Sequence, residues 1–345
     1  LPTVVGTGAA YENAGSLRTR GWELNIDWRH IFQNLDNLEL HANFNIGDYK
    51  AVVTEWESND FVNTTYTGKE YGEIWGFQTD RYFTADDFNA DGSYKQVLDA
   101  EGNYVSGPAD QSKLESGKFV YGPGDIKFVD QNGDGKIDWG KGTKDDHGDL
   151  VKIGNETPRW QYSFRLGADW KGFDIDLFFQ GVGKRDMWSP SAFVMPLMRG
   201  ADAIYSWQMD YVTEEQYTNH SIDQNARYPR LYPGNAGQGV PDDKIIGLGK
   251  NNFYPQDKYL INMAYLRLKN VTIGYSLPEK WMKKIKFQQI RFYVTGENLC
   301  YWSPLTKYTD IMDPEIAGTS GTSTNGSGVG YAFPRTISVG VEIKF

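Results

Sequence analysis

The feature that most constrains this chain is a run of strict alternation at its end. Ile337, Val339, Val341, Ile343 and Phe345 are apolar, while Thr336, Ser338, Gly340, Glu342 and Lys344 are polar or glycine. A period of two sends neighbouring side chains to opposite faces, so this is a strand with one greasy face and one wet face. Ten residues on a strand tilted near 45° rise roughly 23 Å, about the height of the apolar band of an outer-membrane barrel. The closing strand of a soluble sandwich would alternate in the same way, so the rest of the chain has to decide between them.

The pattern recurs along the chain. Residues 20–31 set Trp22, Leu24, Ile26 and Trp28 against Glu23, Asn25, Asp27 and Arg29, and residues 38–51 set Leu38, Leu40, Ala42, Phe44 and Ile46 against Glu39, His41, Asn43 and Asn45. The short segment 34–37 between them makes a hairpin. Residues 160–170 and 173–183 form a second hairpin about Lys171-Gly172, with Trp160, Tyr162, Phe164, Leu166, Ala168 and Trp170 on one face. Trp160 and Trp170 lie ten residues apart on that face. On a tilted strand this separates them vertically by roughly 23 Å, the spacing of two interfacial aromatic girdles. Residues 262–277 carry Tyr265, Val271, Ile273, Tyr275 and Leu277 in one phase; residues 288–301 carry Ile290, Phe292 and Val294; the last strand covers 331–345.

The lengths of the connections sort these seven stretches. Three are short, near 32–37, 171–172 and 278–287, and three are long, 52–158, 184–260 and 302–330. Short and long alternate without exception when every strand reverses direction, as periplasmic turns and extracellular loops do in outer-membrane barrels. The strand-like segment 74–83 would break that parity, so it is assigned to local β structure inside the first long loop. The expected fold is all-β: part of a large antiparallel transmembrane β-barrel with long extracellular loops. Seven spanning strands cannot close such a barrel. The opening Leu1-Pro2-Thr3-Val4-Val5 also looks like mid-chain sequence. Both lead to the expectation of a C-terminal portion whose remaining strands lie upstream.

Composition excludes other classes. The net charge is −10 and the sequence pI about 5.0, which argues against a nucleic-acid partner. There is no run of 18 apolar residues for a membrane helix, and a mean hydropathy of −0.57 is compatible with half-apolar strands and polar loops. One cysteine, Cys300, allows no intrachain disulfide.

One motif carries chemistry. Residues 130–138, Asp-Gln-Asn-Gly-Asp-Gly-Lys-Ile-Asp, match the calcium-loop pattern D-x-[DN]-x-[DN]-G. Asp130, Asn132 and Asp134 would offer side-chain oxygens, Gly135 the sharp turn, Lys136 its carbonyl, and Asp138 the ninth position. The twelfth position, normally a bidentate Glu, is Lys141, so a replacement carboxylate has to come from Asp145, Asp146 or Asp149. The flanks read as β and loop rather than helix, so a bound calcium would stiffen a long loop. The alternative is a Gly/Asp-rich turn with solvated carboxylates. No catalytic set stands out: His30, His41, His147 and His220 are scattered. In the loop 184–260, Trp188, Tyr205, Trp207 and Tyr211 are candidates for contact with a substrate or a lid, because aromatic faces stack on sugars and on peptide side chains. They would equally pack the loop on itself.

Several segments together resemble a known family. They are Gly124-Asp125-Ile126-Lys127-Phe128-Val129-Asp130 running into the Asn-Gly-Asp-Gly loop; Ile153-Gly154-Asn155-Glu156-Thr157-Pro158; and Lys171-Gly172-Phe173-Asp174 followed by Phe178-Phe179-Gln180-Gly181. They continue with Tyr265-Leu266-Arg267-Leu268-Lys269-Asn270-Val271, Gly296-Glu297-Asn298-Leu299, and Phe333-Pro334-Arg335 before the last strand. In this order they resemble the C-terminal part of SusC/RagA-type TonB-dependent transporters of Bacteroidetes. The resemblance implies a barrel of about 22 strands, and a plug and a TonB-contacting segment that this sequence does not contain. It further implies a SusD-like surface lipoprotein as a lid, energy delivered by the TonB complex, and import of an oligosaccharide or a peptide without hydrolysis. Lys141 and the tract 139–149 depart from the family's acidic continuation. The rival readings are a secreted calcium-stabilised glycan-binding β protein, an outer-membrane enzyme on a barrel scaffold, and a siderophore or cobalamin receptor.

Overall fold

The computed structural model describes residues 13–58, 60–116, 119–197, 204–232, 249–309, 311–316 and 333–345. Seven long strands dominate it: β1 (Gly15–Phe32), β2 (Leu38–Trp56), β3 (Arg159–Trp170), β4 (Phe173–Lys184), β5 (Tyr265–Ser276), β6 (Gln289–Trp302) and β7 (Thr336–Lys344). They form one sheet in sequence order, and every neighbouring pair is antiparallel. This is a meander, the topology that short turns produce when each strand pairs with the next. The β3–β4 turn is a two-residue loop in which Lys171 and Gly172 both have positive φ, 50° and 84°. That conformation matches the twist of the flanking strands.

The two faces of the sheet differ in polarity. On one, Trp22, Leu24, Ile26 and Trp28 of β1 stay about half exposed, and Ile337, Val339 and Phe345 are 74%, 80% and 85% exposed. Register carries this apolar face across the sheet: Phe164 stacks on Phe179 at 4.5 Å between ring centroids, and Phe173 lies 4.5 Å from Tyr275. The other face is a polar lattice. Asn25 donates to Asn45, Asn45 to Asn43, and Asn43 to Asp27; Arg165 pairs with Asp176 at 2.7 Å and Arg291 with Asp174 at 2.5 Å. No helix among the described residues is long and apolar enough to cross a membrane, which says nothing of strands.

Three sequence expectations change. β1 and β2 are longer than 20–31 and 38–51, because pairing continues beyond the apolar rows to Gly15 and Trp56. Tyr265 does not share a face with Val271. A bulge between Leu268 and Asn270 inserts Lys269 and flips the phase, so Tyr265 and Arg267 point to the polar side opposite Val182 and Gln180. The expected last strand from 331 begins at Thr336, with 331 and 332 outside the described residues. Segment 74–83 resolves into the short strands Glu73–Gly76 and Thr79–Tyr82, which pair with Val151–Asn155 and Ile126–Phe128 within the same connection.

The hydrophobic core lies in the connections and not in the sheet. Its largest buried cluster draws Phe77, Phe83, Ile126 and Phe128 from the first long connection, Met195, Tyr228, Tyr259 and Ile261 from the second, and Leu305 and Met312 from the third. Arg267 ties that mass to the wall. It is 2% exposed, donates to Asp313 at 2.6 Å and lies under Tyr301 and Phe333. Replacing Arg267 by Ala leaves the buried carboxylate of Asp313 unpaired, a loss of about 3–5 kcal/mol. The double change Arg267→Met/Asp313→Leu should restore most of it. The temperature at which the folded band converts to the unfolded one in heat-modifiability gels of the full-length protein measures both.

Candidate functional site

The motif loop 130–138 folds as a series of side-chain-capped turns. The carboxylate of Asp130 accepts from the backbone N–H of Gly133 (2.6 Å) and of Gly135 (2.8 Å). Asn132 accepts from Asp134, Asp134 from Lys136, and Asp138 from Gly140. Gly135, at φ +79°, has no room for a side chain because the Tyr104 ring lies against its Cα. Tyr104 belongs to the short hairpin strand Tyr104–Ser106, whose partner strand Val97–Leu98 follows Gln96, a donor to the Gly135 carbonyl at 2.5 Å.

Of the three carboxylates weighed for the twelfth position, the fold brings Asp149 to the loop. It is 1% exposed and accepts from the N–H groups of Gln131 and Asp138, both at 2.8 Å. Burial pushes its carboxyl up from the ordinary range, and the charges of Asp130 and Asp134 add to this. Asp146 instead faces Lys141 at 3.5 Å. The loop carboxylates do not converge on one point. Among the described residues, the His/Cys/Asp/Glu group with ligand atoms mutually within 4.8 Å is Glu39, His41 and Asp169, on the polar face of the sheet. The loop thus has the chain path and an added carboxylate suited to a hard cation, with its side chains turned onto backbone N–H groups.

The four aromatic candidates do not act as one set. Tyr205 and Trp207 stack with 4.7 Å between centroids and an interplanar angle of 10°, anchored by Trp207 Nε1 donating to the carbonyl of Phe193 at 3.0 Å. Trp188 and Tyr211 pack against the loop core.

Sequence reasoning did not single out Asp125, the buried charge at the centre of the loops. Its side chain is fully enclosed and accepts from Tyr232 Oη (2.6 Å), Asn252 Nδ2 (2.7 Å) and the Gly122 N–H (2.9 Å). It therefore joins the first long connection to the second. Desolvation outweighs these three donors and pushes its pKa up to about 6. Only its place in a Pro-Gly-Asp turn could have flagged it.

The comparisons with known proteins fit this geometry. No protein-family profile matches the chain. Over its full length it is 24% identical to TonB-dependent receptor P26 and 26% identical to TonB-dependent receptor P3, both of Formosa agariphila. Over 97% of its length it is 24% identical to TonB-dependent receptor SusC of Bacteroides thetaiotaomicron. The chain spans about a third of these relatives or less: 31%, 30% and 27% of their lengths. Among solved structures, the RagAB peptide transporter superposes over the whole chain with a TM-score of 0.58 at 18% identity, again covering 31% of that chain. The RagAB peptide importer in its open-open state does so equally, with a TM-score of 0.58. The chain is thus similar along its length to TonB-dependent receptors, SusC among them, and its fold is that of part of the RagA barrel.

A raised carboxylate pKa favours the folded state at low pH. The contribution of Asp125 is fully present below about 3.8, the unfolded value, and is lost as pH rises through about 6, by roughly 3 kcal/mol in all. Hydrogen exchange around residues 119–128, corrected for intrinsic rates, should show stronger protection at pH 4 than at pH 7. Asp125→Asn should flatten that dependence.

Proposed function

We propose that this chain, similar along its length to TonB-dependent receptors, supplies wall and outward loops to an importer in the bacterial outer membrane. The observation that carries the reading is the meander itself. Its apolar face runs unbroken from Trp22 to Val339, and its connections alternate short and long at opposite ends. In lipid every backbone polar group must be paired inside the protein, and a continuous antiparallel ladder achieves that everywhere between its two outer edges. In this reading the short turns face the periplasm. The three long connections, with their shared core, face outward and meet a SusD-like surface lipoprotein. Contact with the TonB complex belongs to the part of the receptors that this chain does not span. The relatives are receptors and transporters, so the protein is read as a carrier and not as an enzyme.

The favoured cargo is an oligosaccharide, supported by the flat Tyr205–Trp207 stack in the second long connection. A peptide is the second reading, supported by the likeness to a peptide transporter. Uptake of labelled oligosaccharides and peptides by cells carrying the full-length protein tests both. Uptake should stop when TonB is deleted or a protonophore is added, and Trp207→Ala should slow oligosaccharide entry about tenfold, as loss of a stacking face worth about 1.4 kcal/mol would. Uptake that persists without TonB would sink the import reading.

We further propose that loop 130–138 takes up calcium as a structural ion, with Asp130, Asn132, Asp134, the Lys136 carbonyl and Asp138 as ligands and Asp149 as the added carboxylate. The buried carboxylate of Asp149, repelled by the charges of Asp130 and Asp134, supports it. Its role would be to hold the Tyr104 hairpin against the loop. Calcium should raise the protease resistance of the segment 95–150 in the full-length protein, and EDTA should lower it. Asp149→Asn should remove the calcium effect, and a response that survives this change would place the ion elsewhere.

A further inference from the structure

The apolar row of β1 ends in basic residues. Beyond Trp28, Ile26, Leu24 and Trp22, the same face continues through Arg20 to Arg18, because the register slips only between Ser16 and Leu17. Lys50 of β2 stands opposite Arg20. With Trp22 and Arg159 these residues line one hollow of about 520 Å³. Not all of its cations are free. Arg159 holds Asp48 at 2.5 Å through two nitrogens, and Lys50 reaches Glu70 at 3.4 Å. Arg18 and Arg20 have no carboxylate partner among the described residues. The chain as a whole is acidic, at −10, so this patch does not sample a generally basic surface.

Position gives the patch its meaning, and this step rests on the import reading above. The hollow sits at the long-connection end of β1 and β2, which that reading places at the cell surface, one alternation step past Trp22. There an apolar row gives way to water, the depth at which lipid head groups lie and at which long basic side chains extend toward them. A guanidinium binds phosphate through two parallel N–H donors, and unpaired arginines are suited to that use. We propose that Arg18, Arg20 and Lys50 form a binding site on the outer wall for the phosphoryl head group of an outer-leaflet glycolipid. Its acyl chains would lie along Trp22, Leu24 and Ile26.

The test uses the full-length protein extracted from the outer membrane and exchanged into detergent. Native mass spectrometry reads retention of four probes: a bisphosphorylated diglucosamine glycolipid, the same glycolipid stripped of phosphate, phosphatidylethanolamine, and inorganic phosphate. The wild-type protein should retain the phosphorylated glycolipid about tenfold better than the stripped form, and millimolar inorganic phosphate should not displace it. Arg18→Gln/Arg20→Gln/Lys50→Gln should abolish the preference, while Arg18→Lys/Arg20→Lys should keep part of it and controls for folding. Equal retention of the stripped glycolipid, or full retention by the triple variant, overturns the site. Displacement by inorganic phosphate also overturns it, by assigning the patch to the free ion. Such results in a protein that still fractionates with the outer membrane leave the import reading standing. A protein absent from that fraction sinks both.

Discussion

Everything in this structure depends on the register of one antiparallel ladder. A strand repeats every two residues, so a slip of one position would turn each apolar side chain to the polar side. The sheet keeps a single register over long stretches, from Leu17–Val53 to Phe32–Leu38 in β1–β2 and without interruption in β3–β4 and β6–β7. Cross-strand partners hold it on both faces. Rings stack on one side, Phe164 on Phe179 and Phe173 near Tyr275. Arg29 meets Glu39 and Arg291 meets Asp174 on the other. Such pairs are the unit of sheet stabilisation, and here the two faces select the same register independently.

A sheet with a bare apolar face cannot also be the place where the chain buries its hydrophobic residues. The structure divides the two tasks. The wall keeps its apolar side chains outward, and the connections build a core of their own from Phe77, Phe128, Tyr228, Tyr259 and Leu305. Loops with a shared core lose less order than separate loops would, because each closes on the others. Buried charges join the parts. Asp125 fastens the first connection to the second through Tyr232 and Asn252, and Arg267 fastens the third to the wall through Asp313. A buried charge that loses its partner costs far more than an exposed one, so these links fix the loops in one arrangement.

Most of the wall was legible in the sequence because its signal is local. Period-2 alternation names the strands, and the positive-φ pair Lys171-Gly172 names the tightest turn. The bulge at Lys269 was not legible, since an extra residue looks like ordinary sequence until the neighbouring strand is placed beside it. That one residue moves Tyr265 and Arg267 to the polar side, and with Arg267 goes the anchor of the third connection. The ends of β1 and β2 escaped for a related reason. Past Trp22 the outward row turns from apolar to basic, and a reading based on hydrophobic alternation stops where the strand does not.

The loop 130–138 shows how sequence distance misleads. Asp145, Asp146 and Asp149 seemed equivalent replacements, and the nearest in sequence would be the natural choice. The chain between Asp138 and Asp149 instead makes a closed excursion. The N–H of Asp149 donates to the carbonyl of Asp138 at 3.0 Å, and the N–H of Asp138 donates back to the Asp149 carboxylate at 2.8 Å. Gly140 and Gly148, both at positive φ, let the two arms of the excursion touch where any Cβ would collide. Asp149 therefore sits beside Asp138 as if the residues between them were absent. Closing so short a loop costs little, and its cost grows only slowly with length. An insertion of this kind can lengthen the surface without moving the carboxylate that sits beside Asp138.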